Sequence, residues 1–272
     1  MAERLAKLPP PVTQSATDAY TDFLGQAAVA HLHLHHFREV EKVANAMEAL
    51  MLGNPTTRDQ VRQLRIFNEF HAQRYTEAGK LLAEIPESEL LALPPRARER
   101  HDIFRGYLQL LSRLVSPAPA PDTGAPAFRM AKFLNTFTEA NKDKAHLNVH
   151  LIIISLVDAY LGSSGGHALS PEAIERYVYR YLREDDSQRT KLFLKALLNL
   201  YRQGPESGSS GDKYFRELRL LPVNTFRFPD TEIIPYERLW KLLPPALHWI
   251  DQRSVVHPST VPPLPTGVQR CL

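Results

Sequence analysis

The chain is 272 residues long, 43% hydrophobic and 23% charged, with 33 basic against 30 acidic side chains for a net charge of +3. These are the proportions of a globular chain that can bury a sizeable core, and so even a charge balance neither demands nor excludes nucleic acid. The lone cysteine, Cys271, excludes an internal disulfide and a cysteine-based zinc site.

In chain order, residues 1–14 read as an irregular lead-in around Pro9, Pro10 and Pro11, without the apolar core of a signal peptide. A first helix is expected from Ser15 to His35, with Tyr20, Phe23, Leu24, Ala27, Ala28 and Leu32 inward. The second, Phe37 to Leu52, places Phe37, Val40, Val43, Ala44, Met47 and Leu50 at helical spacing, and Gly53-Asn54-Pro55 stops it. Thr57 opens a third helix through Arg74, with Val61, Leu64, Phe67 and Phe70 or His71 as its stripe. Thr76 to Ile85 is a short fourth, closed by Pro86. The fifth runs from Pro95 to Val115 and turns Ile103, Phe104, Tyr107, Leu108 and Leu111 inward.

Residues 116–127, SPAPAPDTGAPA, are a Pro/Ala-rich connector and the best boundary in the chain. Helices are expected after it at 128–140 and 144–161. The apolar run Leu147 to Leu161 is broken by Asn148, His150, Ser155 and Asp158, too short and too polar to span a bilayer. Pro171 to Tyr201 reads as a helical hairpin. Ile174, Tyr177, Val178, Tyr181 and Leu182 make one stripe, and Phe193, Leu194, Leu197, Leu198 and Tyr201 the other. Ser170 is a suitable N-cap and Pro171 suits the first helical position. Asp185 and Asp186 suit a cap for the second helix. A loop at 204–212 and a short helix at 213–221 follow. Phe226 to Ile234 is the one extended passage, and a last helix from Pro235 carries Tyr236, Leu239, Trp240 and Leu243. The expected organisation is 1–115 N-terminal helical repeats, 116–127 linker, 128–252 C-terminal hairpins and 253–272 Pro-rich tail.

Short turns between successive helices imply antiparallel neighbours, the logic of stacked hairpins. Tyr75-x-x-Ala78, Leu82 and Pro86 resemble the second helix of a tetratricopeptide repeat, with looser agreement at Phe37–Met47. The chain departs from that family at Arg65, Ile66 and Glu69, which stand where the consensus has an apolar residue, a glycine-like residue and a tyrosine. The resemblance covers at most residues 16–115. It implies an all-α fold of antiparallel hairpins stacked as a tetratricopeptide-like α-solenoid. In the second half, Arg180-Tyr-Leu-Arg-x-Asp-Asp-x-x-Arg189 and Glu232-Ile-Ile-Pro-Tyr-Glu-x-Leu-Trp240 are similar to uncharacterised bacterial helical-repeat proteins. That likeness implies bacterial origin and shared architecture but no activity.

Few groups are placed for chemistry. His31 and His35, one turn apart on a helix, with Glu39 a turn beyond, form a candidate site for a first-row metal. The plainer reading sets these histidines at an exposed helix end. His146 and His150 are a weaker pair of the same spacing. Arg176, Arg180 and Arg183 line one side of their helix and can meet phosphate, although Glu172, Glu175 and Glu184 lie within a turn to pair with them. Tyr236, Trp240 and Trp249 are aromatic anchors, either for the last hairpin's core or for a partner. No cofactor is indicated.

The reading is a cytoplasmic, non-enzymatic scaffold or adaptor that binds a peptide or protein partner in a helical-repeat groove, with no membrane association. A nucleic-acid-associated regulator is the alternative: residues 128–272 hold 19 basic and 15 acidic side chains, whereas 1–115 hold 14 of each. A metal-dependent enzyme at the His31/His35 cluster is the third.

Overall fold

The computed structural model describes residues 14–50, 55–115, 128–134, 145–161, 170–182, 188–203, 211–223 and 232–243. Every regular element among them is a helix. They are α1 (Gln14–His33), α2 (Phe37–Leu50), α3 (Pro55–His71), α4 (Tyr75–Ala83), α5 (Glu87–Ala92) and α6 (Pro95–Val115), then α7 (Ala145–Tyr160), α8 (Pro171–Tyr181), α9 (Gln188–Gln203), α10 (Gly211–Leu218) and α11 (Tyr236–Leu242). Residues 130–134 add a short helical piece before α7. None of the described helices is long and apolar enough to cross a membrane.

The first two hairpins close in the same way. After α1, the His35 amide donates to the Leu32 carbonyl at 3.0 Å and the His36 amide to His31 at 2.9 Å. After α3, Gln73 donates to Phe70 at 3.1 Å and Arg74 to Glu69 at 2.9 Å. His35 and Gln73 are left-handed, with φ of 57° and 62°. These nested bonds around one left-handed residue are the Schellman ending of a helix. It corrects the expected helix end: α1 stops at His33 and α3 at His71, because the next residues satisfy the orphan carbonyls by turning back. An aromatic residue, Phe37 or Tyr75, then opens the following helix. Buried positions also correspond at this 38-residue offset: Ala28 with Ile66, Leu32 with Phe70, Val40 with Ala78, Ala44 with Leu82 and Met47 with Ile85.

Arg65 explains one departure from the tetratricopeptide pattern. From α3 it donates to Glu41 at 3.0 Å, Asn45 at 2.7 Å and Glu48 at 2.8 Å, all on α2. A polar clamp stands where the repeat family packs an apolar side chain.

Helix α1 packs on α2, α2 on α3 and α3 on α4, with α1 also reaching α3. Helix α4 then meets α6, and Phe67 of α3 sits edge-on to Phe104 of α6 at 5.3 Å. Beyond residue 127 the order continues as α6 on α7, α7 on α9, and α9 against both α8 and α10. Gly106 permits a close approach: a Cβ there would lie 3.0 Å from Ile154 Cδ1 and 3.2 Å from a Phe133 ring carbon. Residues on both sides of 116–127 thus share one apolar core.

Several expectations need correction. Helix α5 was not foreseen, since ESELLA buries no side chain and carries no stripe. Phe23 is exposed, and so is Tyr181, at the edge of the stripe formed by Ile174, Val178 and Leu182. The expected span 128–140 is helical at 130–134 but not at 128–129, and 135–140 lie outside the described residues, as do the connector 116–127, the pair Asp185 and Asp186, most of the extended passage, and the Pro-rich tail.

Candidate functional site

The polar groups converge where the segment 232–243 lies across the rest of the fold. Arg189 opens α9 and is buried. One of its terminal nitrogens donates to the Leu218 and Leu221 carbonyls at 3.3 and 3.1 Å, which fixes the guanidinium from the α10 side. Its Nε donates to Glu232 at 2.8 Å, and its other terminal nitrogen to Glu237 at 2.8 Å. Glu232 also accepts from the Tyr236 amide at 2.9 Å, so one carboxylate holds the arginine and starts α11. Such a buried pair needs its remaining hydrogen-bonding capacity filled, and here it is.

The Glu232 carbonyl faces the other half of the chain, where His71 Nε2 donates to it at 2.8 Å. Burial drives the His71 imidazole down from 6.5 to about 4, with the carbonyl bond pulling the other way. Burial likewise pushes the Glu232 carboxyl up, against the pull of Arg189. The Tyr236 hydroxyl lies 3.0 Å from that of Thr190, and its ring stacks on Phe193 at 4.3 Å. Trp240 stacks on Phe215 at 5.1 Å. Nearby, the Tyr107 hydroxyl lies 3.0 Å from His150 Nδ1, in hydrogen-bond contact, and burial holds that phenol protonated. A second polar group joins α3 to α6: His101 Nε2 donates to Asp59 at 2.6 Å, and Gln63 donates to the same carboxylate at 2.6 Å.

The predicted site residues fare differently. Tyr236 and Trp240 are buried, so they anchor the core rather than offer a surface; Trp249 and Arg183 lie outside the described residues. Arg176 and Arg180 are exposed on α8. Arg176 donates to the Glu172 carbonyl at 3.3 Å, and Arg180 lies 5.5 Å from the Tyr181 ring centre. Glu175 pairs instead with Arg202 of α9. Tyr179 beside them is 75% exposed and Tyr181 45%. The His31, His35 and Glu39 trio does not share a helical face, because α1 has ended and His35 turns left-handed onto the Phe37 ring. His36 is the ring that meets His31, at 5.8 Å. This is the side-chain contact that accompanies a Schellman ending. Glu39 is bonded to Lys42 at 2.7 Å. Among the described residues, no group of three histidine, cysteine or acidic side chains is placed to hold a metal ion.

Sequence reading passed over Arg189 and Glu232 as functional residues, although both stand in the two runs that carried the bacterial likeness. The fold brings those runs together. Comparison with family models, with curated proteins and with solved structures gave no match.

Proposed function

We propose that the protein is a non-enzymatic binding scaffold, a tetratricopeptide-like stack of helical hairpins that holds a protein or peptide partner. The observation that carries this reading is the outer side of α8. Ile174, Val178 and Leu182 fix the helix in the core while Arg176, Tyr179 and Arg180 face outward and Tyr181 stands exposed at the edge of the buried stripe. Tyrosine and arginine dominate binding hot spots, since rigid rings and a planar cation gain contact at low entropic cost. The fitting partner is a segment that offers carboxylates to the arginines and an apolar side chain to the tyrosines. The same arginines admit a polyanion, which the test separates.

A photo-crosslinker at Tyr179 of the full chain, in host extract, is expected to give a discrete protein adduct. Arg180→Glu should reduce it at least tenfold with the melting curve unchanged. An adduct indifferent to Arg180→Glu overturns the α8 surface. A nucleic-acid adduct with steep salt sensitivity assigns the regulatory alternative instead.

A further inference from the structure

We infer that the outer faces of α9 and α10 form a docking surface for the phosphodiester backbone of a nucleic acid. On α9, Gln188, Lys191, Lys195, Asn199 and Arg202 recur at i, i+3, i+7, i+11 and i+14. This is one stripe, on the side of the helix away from the buried Phe193, Ala196, Leu197 and Leu200. Lys191 and Arg202 stand about 16 Å apart along the axis, with Lys195 between them. Two contacts set the stripe beside its neighbours. Arg202 bonds Glu175 of α8 at 2.8 Å, and the Lys195 ammonium lies 5.6 Å from the Tyr214 ring centre of α10. Helix α10, packed on α9, then adds Lys213, Arg216 and Arg219, all exposed.

Charge sets this surface apart. Helix α9 has no acidic residue and α10 has two, Asp212 and Glu217, against these six cations in a chain whose net charge is only +3. Elsewhere arginines are neutralised in place: Arg62, Arg65, Arg74 and Arg113 are each bonded to a carboxylate. Among the described residues, no carboxylate pairs with Lys191, Lys195, Lys213 or Arg219. Like charges held on one side of a molecule raise the local concentration of anions, and a row of them matches a polymer charged at every unit. Two observations favour nucleic acid over other anions. Three of the six cations are lysines, which protein interfaces avoid and which meet phosphate as point charges. The α9 stripe also carries no apolar side chain to insert among lipid headgroups. Such contacts grip phosphates and do not read bases, so binding is indifferent to sequence. The surface goes beyond the α8 reading and does not depend on it.

Fluorescence anisotropy of a labelled single-stranded oligonucleotide, and of its duplex, tests this on the full chain. Binding should appear at low salt and weaken steeply as salt rises. Lys191→Gln with Lys195→Gln should lower affinity at least tenfold. The same pair should reduce the slope of log K against log salt by about 1.4 on the single strand, two contacts at about 0.7 each. Lys213→Gln with Arg219→Gln, on the other helix, should reproduce the loss, so a folding defect in one variant leaves the other to decide. Tyr179→Ala with Arg180→Gln should leave oligonucleotide binding unchanged, which separates this surface from α8. No binding to either oligonucleotide at low salt, or affinity and slope that neither cation pair alters, overturns the inference. Leu220 is exposed just past the end of α10, so phosphatidylserine vesicles are tested alongside, with polyglutamate as the acidic peptide. Tighter binding to either of these than to the oligonucleotides would assign the surface to a lipid or to an acidic protein and overturn the nucleic-acid partner.

Discussion

Arg189 shows how one side chain couples distant parts of this sequence. Its guanidinium binds two carboxylates on one side and two carbonyls on the other, so removing it leaves Glu232 buried and unpaired. Arg189→Met is expected to cost roughly 3–5 kcal/mol in chemical denaturation, and adding Glu232→Gln should recover part of the loss, because no uncompensated charge remains inside. His71 acts through pH. Its ordinary value of 6.5 falls to about 4 in the fold, so between those values the unfolded chain binds a proton that the folded chain refuses. Stability from this group is complete above pH 6.5 and lost as pH falls toward 4, by roughly 3 kcal/mol at about 1.4 kcal/mol per unit. His33, whose ring lies 6.3 Å away, and His35 act in the same direction, since positive charge on either disfavours charge on His71. Subtracting the stability of His71→Gln from that of wild type across pH 4–7 isolates the effect. A flat difference would refute it.

At the scale of the element, the two Schellman endings set where hairpins turn. Both left-handed positions hold residues with a Cβ, His35 and Gln73, in a region where glycine avoids the steric cost. His35→Gly and Gln73→Gly should each stabilise the protein by about 0.5–1 kcal/mol, read as a rise in the denaturation midpoint. The same residues in a continuing helix would instead be destabilised by glycine, so the sign of the change tests the geometry. The turn also accounts for the histidine cluster: His31 and His36 meet as a consequence of chain reversal. Burial lowers the His31 imidazole, partly offset by the Glu39 carboxylate, which suits a neutral ring packed at a helix end.

For the whole molecule, the question is whether the parts on either side of 116–127 stand alone. Among the described residues, the hydrogen bonds that bridge them include Tyr107 with His150, Arg113 with Asp158 at 2.6 Å, and His71 with Glu232. Each is buried on at least one side, and the apolar core is common to both. One calorimetric transition is therefore expected for the full chain, with its van't Hoff and calorimetric enthalpies equal. Tyr107→Phe, which removes the hydroxyl from its hydrogen bond with His150 Nδ1, should lower that single transition by the equivalent of about 1–3 kcal/mol and not split it in two.

Periodicity in the sequence was enough to establish the helices of the described residues and most of their inward side chains. A 3.6-residue repeat of apolar side chains is a local property that burial obeys with few exceptions. Local signals also located the Ser170 cap, whose hydroxyl accepts from the Ala173 amide at 3.2 Å. Phe23 and Tyr181 escaped because a stripe is wider than the contact it makes, and only the neighbouring helix decides which edge is covered. The left-handed turns escaped because histidine and glutamine do not announce positive φ as glycine does. The meeting of Arg189 with Glu232, and of His71 with the same residue, was settled by tertiary structure alone. Groups 43 and 161 positions apart have no periodic signature, and their pairing depends on which helices share a core.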